Sequence, residues 1–291
     1  MTIYIRLSRA ILTETINQRS SDLKKLSLDI HAHPETAFEE VFAHSAISDL
    51  LESNGFEVTR GAYGVPTSFE AQVGTGGRLV IFCAEYDALP QIGHGCGHNL
   101  IAMSSIAGFI AAAEWLRQSG TPGRVRLLGC PAEESGGGKA KLIDAGAFKD
   151  DVAAAIMAHP VTEQSLFNGP SGGQSGLAGL KLNARHMFNT EFRGKAAHAA
   201  AEPWNGLNAF DAAVAAYNNV GLLRQQIEPT DRIHAIMEVG GTVANVIPDY
   251  TRMSWMVRSP TVERADQLLL RVKDCIRAGA SAAGCELNYI E

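Results

Sequence analysis

The chain has 291 residues, 46% of them hydrophobic and 19% charged, with a net charge of −6. That composition supports a full globular core, and the length favours two domains at roughly 100–200 residues each. The acidic balance, with no run of five Lys or Arg, excludes a nucleic-acid footprint. No apolar run approaches the roughly 20 residues of a membrane span, and the opening residues lack a signal-peptide pattern. Five scattered cysteines suit reduced thiols, so the expected location is cytoplasmic, with no membrane partner.

Taken in chain order, the spacing of Leu23, Leu26 and Ile30 predicts a helix from Ser20 that ends before Pro34. A second helix is expected to carry Phe38, Phe42, Ile47 and Leu50 on one face and to stop at Gly55. Short strands follow at Phe56–Thr59 and Ser68–Val73. The run Leu79–Ala84 is continuously apolar, as in a parallel strand buried on both faces. It leads into Glu85-Tyr86-Asp87 and then the glycine-rich loop Gly93-His94-Gly95-Cys96-Gly97-His98-Asn99. Asn99 is the expected cap of an alanine-rich helix closed by Gly120. Strand Val125–Leu128 leads to Glu133-Glu134, a helix spans Lys139–Ala145, and strand Val152–Met157 leads to His159-Pro160.

Three parallel strands would therefore each end in candidate ligands. Open α/β sheets bind ligands outside the carboxyl ends of their strands. Right-handed crossovers bring those ends to one edge. Cys96, His98, Glu134 and His159 make a mixed sulfur, nitrogen and oxygen set that suits zinc, manganese or cobalt better than calcium or magnesium. The pair Glu133-Glu134 can divide two tasks, one carboxylate binding metal and its neighbour taking a proton from water; Asp87 would orient the ligands from behind. The duller readings are a solvated helix start for the two glutamates and a turn histidine at His159. Gly136-Gly137-Gly138-Lys139 superficially resembles a phosphate loop, but Ala140 stands where Ser or Thr is required, and nucleotide binding is rejected.

Beyond Gly179 the pattern changes to β-α-β-β-α-β, the order of a ferredoxin-like domain, with Leu207, Phe210, Val214 and Tyr217 as the expected inner face of its first helix. Trp204 and Trp255 are expected in its core. The fold class is thus α/β: an open, mostly parallel catalytic domain over 1–178 and an α+β domain over 179–291.

The segments AEYDALPQIGHGCGHN, PAEESGGGKAKLIDAGAF, MAHP and GKAAHAAAEPWNGLNA, with Asn245-Val246-Ile247-Pro248, resemble the aminoacylase/carboxypeptidase-type metallopeptidases. Within them the chain is most similar to the amidohydrolases acting on aminobenzoyl-glutamate-like substrates and dipeptides. The resemblance implies two divalent metal ions sharing a bridging water, with Cys96, His98, Glu134 and His159 as ligands and Glu133 as base. It implies that the second domain is a lid through which the chain forms a homodimer. His198 would then serve the partner's site, and Asn245 and Arg258 would hold the substrate, a dipeptide or N-acyl-amino acid. Glu85 stands where many relatives have a metal-binding histidine and is not counted as a ligand. Such relatives continue past the lid and supply one more histidine, so a missing return segment is expected. The alternative is an inactive relative acting as a dimerising or binding module.

Overall fold

The computed structural model describes residues 2–149, 151–161 and 182–290. The chain forms two compact units, Met1–Gln174 and Ser175–Glu291; the expected boundary after residue 178 lies outside the described residues.

In the first unit, α1 (Thr2–Ala32) and α2 (Val41–Ser53) precede β1 (Thr59–Arg60), β2 (Phe69–Thr75) and β3 (Leu79–Glu85). Next come α3 (His98–Ser119), β4 (Gly123–Cys130), α4 (Gly138–Asp144) and β5 (Val152–Ile156). The sheet order is β1-β2-β4-β3-β5. β3 runs parallel to both β4 and β5, while β2 joins β4 antiparallel. The three strands expected to end in ligands are therefore parallel neighbours, and their carboxyl ends share one edge.

Alternation along β3 feeds two cores. Leu79, Ile81 and Cys83 pack with Leu128, Leu142 and Ala147, whereas Ala84 faces the α1–α3 side with Ile106, Phe109 and Leu127. This explains the unbroken apolar run: a strand covered on both faces has no polar side. Burying each such large side chain contributes roughly 1.5–3 kcal/mol.

Several local expectations are corrected. α1 begins at Thr2 rather than Ser20; no Gly or Pro interrupts it, and the Trp115 indole N–H donates to Ser8 Oγ at 2.9 Å, tying its first half to α3. Phe38 precedes α2 with φ of 62° and lies beneath the Lys141 ammonium, so it belongs to the α4 contact. Asn99 is not a cap. α3 starts one residue earlier, behind left-handed Gly97, and the Asn99 amide donates to Ser27. α3 is also long and apolar enough, by length and composition, to cross a membrane. It is here a core helix, with Ile101, Ile106 and Phe109 fully buried.

In the second unit, β6 (Ala184–Arg193), α5 (Ala209–Leu223), β7 (Arg232–Val239), β8 (Tyr250–Ser259), α6 (Val262–Ala283) and β9 (Glu286–Ile290) follow in the expected order. The sheet is antiparallel, β7-β8-β6-β9. α5 turns its small face inward: Ala209, Ala212, Ala213, Ala216 and Val220 are buried. Leu207, Phe210, Val214 and Tyr217 are instead 38–48% exposed. The reason is close helix packing, since a Cβ at Gly279 of α6 would sit 2.4 Å from the backbone nitrogen of Ala216. Trp255 is buried and donates to Thr190 Oγ1 at 3.0 Å, but Trp204 is exposed.

Candidate active site

The carboxyl ends of β3, β4 and β5 bring the chemistry together. Gly97 allows the Cys96 loop to approach the His159-Pro160 segment: its φ is +79°, and a Cβ there would lie 2.6 Å from Pro160 Cγ. At that closeness Cys96 Sγ and His159 Nε2 stand 3.5 Å apart. Ligand atoms of Cys96, His98 and His159 all lie within 4.8 Å of one another, as do those of Glu85, His98 and Glu133.

His98 is fully buried, at the first position of α3. Its Nδ1–H donates to Asp87 Oδ1 at 2.9 Å, so its Nε2 carries the lone pair. Around Nε2 stand Glu85 Oε2 at 3.5 Å, Glu134 Oε1 at 3.7 Å and Glu133 Oε2 at 3.9 Å. Nε2, Glu85 Oε2 and Glu134 Oε1 are all buried without a hydrogen-bond partner among the described residues. Buried polar atoms are almost always paired. Acceptors converging on an imidazole lone pair repel one another unless a cation lies between them. With a cysteine sulfur beside them, these residues fit a zinc-like divalent ion.

The electrostatics are those of a concentrated negative site. Burial pushes the Cys96 thiol up to about 12, helped by Glu134, Glu133 and Glu85. Burial opposes charging of His98, yet its bond to Asp87 and the charges of Asp87, Glu85 and Glu134 outweigh that, and its pKa is raised. Burial likewise opposes ionisation of Asp87, but hydrogen bonds from His98 and the Glu134 backbone hold its pKa below the usual value.

Three contributors are not evident from the sequence. Glu85, not counted there as a ligand, is buried beside His98, and its other oxygen pairs with Lys139. Lys139 itself sits in a run that only imitates a phosphate loop. Glu40 is fully buried; it accepts from the Ala132 backbone N–H at 2.8 Å and from Thr67 Oγ1 at 2.8 Å. Ala132 has φ of 56°, so Glu40 pins the strained turn that presents Glu133 and Glu134. No sequence signal marks Glu40, because Glu39-Glu40 looks like an ordinary solvated pair.

In the second unit, His198 and Asn245 meet at one junction. His198 forms a β-bridge with Val246, and the Ala199 N–H donates to the Asn245 carbonyl at 3.1 Å. His198 Nδ1 accepts from the backbone of Ala200 and Ala201 at 3.2 Å each, which leaves its ring proton on Nε2. Arg258 lies on β8, half-buried, on the sheet face away from the helices, with Nε 3.0 Å from Met256 Sδ.

The sequence profile described as peptidase family M20/M25/M40 matches residues 81–289. The chain belongs to this family. A mouse protein named Xaa-Arg dipeptidase is 38% identical over 296 residues, covering 98% of this chain and 66% of its own length. A p-aminobenzoyl-glutamate hydrolase protein of Escherichia coli K12 is 35% identical over 277 residues, covering 89% of this chain and 54% of its own length. The chain thus spans between about half and two thirds of these curated relatives. Among solved structures, a dinuclear metal-binding peptidase of family M20 from Bacillus subtilis matches with a TM-score of 0.63 at 23% identity, over 97% of this chain and 73% of that one. The resemblance drawn from the motifs is borne out, and so is the α/β class.

Proposed function

We propose that this chain hydrolyses an amide bond in a dipeptide or N-acyl-amino acid, with two divalent ions, zinc or manganese, as cofactors. The observation that carries the reading is the meeting of Cys96, His98 and His159 ligand atoms within 4.8 Å, with the His98 lone pair turned toward Glu134. These four residues would hold metal. Bound divalent ions supply Lewis-acid polarisation of the scissile carbonyl and a water acidic enough to attack at neutral pH. Glu133 stands 3.9 Å from His98 Nε2 and is accessible, so its Oε2 can take the water's proton and return it to the leaving amine. Asp87 keeps the His98 ring in the tautomer that offers Nε2.

The names of the relatives support a leaving group with a free carboxylate, arginine in one and glutamate in the other. Arg258 can grip such a carboxylate bidentately and Asn245 can add a hydrogen bond. His198, with its proton on Nε2, can donate to a developing oxyanion. The second unit would act as the lid and dimerisation domain. Its exposed apolar stripe on α5 and the edge strand β7 support a homodimer. All five cysteines are free, which suits a cytoplasmic setting.

The test is metal analysis of the purified protein with a panel of dipeptides and N-acyl-amino acids. Bound zinc or manganese and amide hydrolysis are expected. Below about 0.2 metal per chain, where two-metal sites of this kind need both ions, and with no turnover after metal addition, the reading fails. Sedimentation at micromolar concentration is expected to show a dimer; a strict monomer removes the trans role of His198.

A further inference from the structure

The run Gly136-Gly137-Gly138-Lys139 has no part in the reaction just described, yet it is built for one contact. Gly138 opens α4 tight against the end of β4: a Cβ there would lie 1.8 Å from the carbonyl oxygen of Pro131. Gly137 is left-handed, with φ of +66°. Only a glycine turn lets the helix start this close to the strand. The result is that Lys139 Nζ reaches Glu85 Oε1, and Glu85 is 1% exposed.

An ammonium on one oxygen leaves the other to be explained. Glu85 Oε2 is buried and unpartnered, 3.5 Å from the lone pair of His98 Nε2. Two ligands of one tetrahedral ion, each at about 2.0–2.1 Å, are separated by roughly 3.3–3.4 Å. The observed separation matches that spacing. A carboxylate whose function was only to neutralise Lys139 would have no reason to aim its second oxygen at an imidazole that cannot donate to it.

We propose that Glu85 is a further metal ligand and that Lys139 is the residue that positions it. This rests on the metal-dependent reading above and adds a ligand to it. Lys139 holds Glu85 in a one-oxygen mode and cancels one negative charge in a cluster of Glu85, Asp87, Glu133 and Glu134. A cation bound there then meets an oriented oxygen without the added mutual repulsion of an unbalanced carboxylate.

The test compares cobalt(II) binding to the wild-type chain, Glu85→Gln, Lys139→Met and the double variant, with thermal melts as a check on folding. The double variant removes one charge of each sign, so the site's net charge is unchanged and a change in affinity reports the lost ligand. Glu85→Gln and the double variant are expected to weaken cobalt binding at least about tenfold and to alter the ligand-field spectrum. Lys139→Met is expected to shift that spectrum while the protein stays folded. Should the double variant not fold, Glu85→Gln alone gives the affinity reading, and the reverse holds. Cobalt affinity within about twofold of wild type and an unmoved spectrum in a folded Glu85 variant would overturn the ligand role. A spectrum unmoved by Lys139→Met would overturn the positioning role. Failure of the wild-type chain to bind cobalt would overturn the metal-dependent reading itself, and this one with it.

Discussion

Asp87 accepts the Nδ1–H of His98 at 2.9 Å on one carboxylate oxygen, and on the other it accepts the backbone N–H of Glu134, also at 2.9 Å. One side chain from the β3 end therefore sets both the ring on α3 and the turn after β4. Replacing it with alanine frees two metal-binding positions at once. Asp87→Ala is expected to weaken zinc binding about 10- to 100-fold, the usual effect of losing such an outer partner, as read by chelator competition. An affinity unchanged within error would show that the bond to Asp87 does not orient His98.

Glu133 and Glu134 are neighbours with different surroundings. Glu133 is 41% exposed at its side chain, whereas Glu134 Oε1 is buried and unpartnered. Glu133→Gln is expected to lower turnover by about 100- to 10,000-fold, the range of general-base assistance, with metal content unchanged. Metal loss on this substitution, and retention on Glu134→Gln, would exchange their roles.

Proton competition gives a pH dependence of known sign. Cys96 is held as a thiol, its pKa pushed up to about 12, and the raised pKa of His98 favours its protonated form. A metal must displace those protons, so apparent affinity rises with pH and falls as the medium becomes acidic. Calorimetry of zinc binding in buffers of different ionisation enthalpy is expected to show about one or more protons released per ion. Zero release would mean that neither the thiol nor the imidazolium is displaced.

The second unit has its own acid-sensitive bond. Asp231, 3% exposed, accepts from Arg264 at 2.9 and 2.7 Å and from Ser259 Oγ at 2.8 Å. The Arg264 hydrogen bonds lower its pKa below the usual 3.8. A depressed folded pKa contributes stability above the unfolded pKa and loses it as pH falls through the folded one. Asp231→Ala is expected to cost roughly 2–4 kcal/mol at neutral pH, and the gap to wild type should narrow below about pH 4. Chemical denaturation at pH 7 and at pH 3 measures both; a gap that widens in acid contradicts the assignment.

The order of strands and the ligand positions at their ends are legible in the sequence because each is a local pattern. A run apolar at every position, as in Leu79–Ala84, has one economical placement, between two layers. Glycines flanking Cys96 announce a loop whatever the rest of the chain does. The ferredoxin-like order is equally open, since alternating periodicities do not depend on distant contacts.

Choices made between elements are another matter. Both faces of α5 carry a helical repeat, one large and one small. The small face packs inward only because α6 comes close enough at Gly279 to exclude anything bigger. Glu85 and Lys139 carry no mutual signal across 54 residues of chain. They become a buried pair because β3 and β4 are neighbours and α4 begins against the strand end. The sequence by itself determined which residues could bind a metal and at which strand ends they lie. Tertiary structure alone decided which oxygen of which carboxylate faces the His98 lone pair, because that depends on distances between segments that share no local pattern.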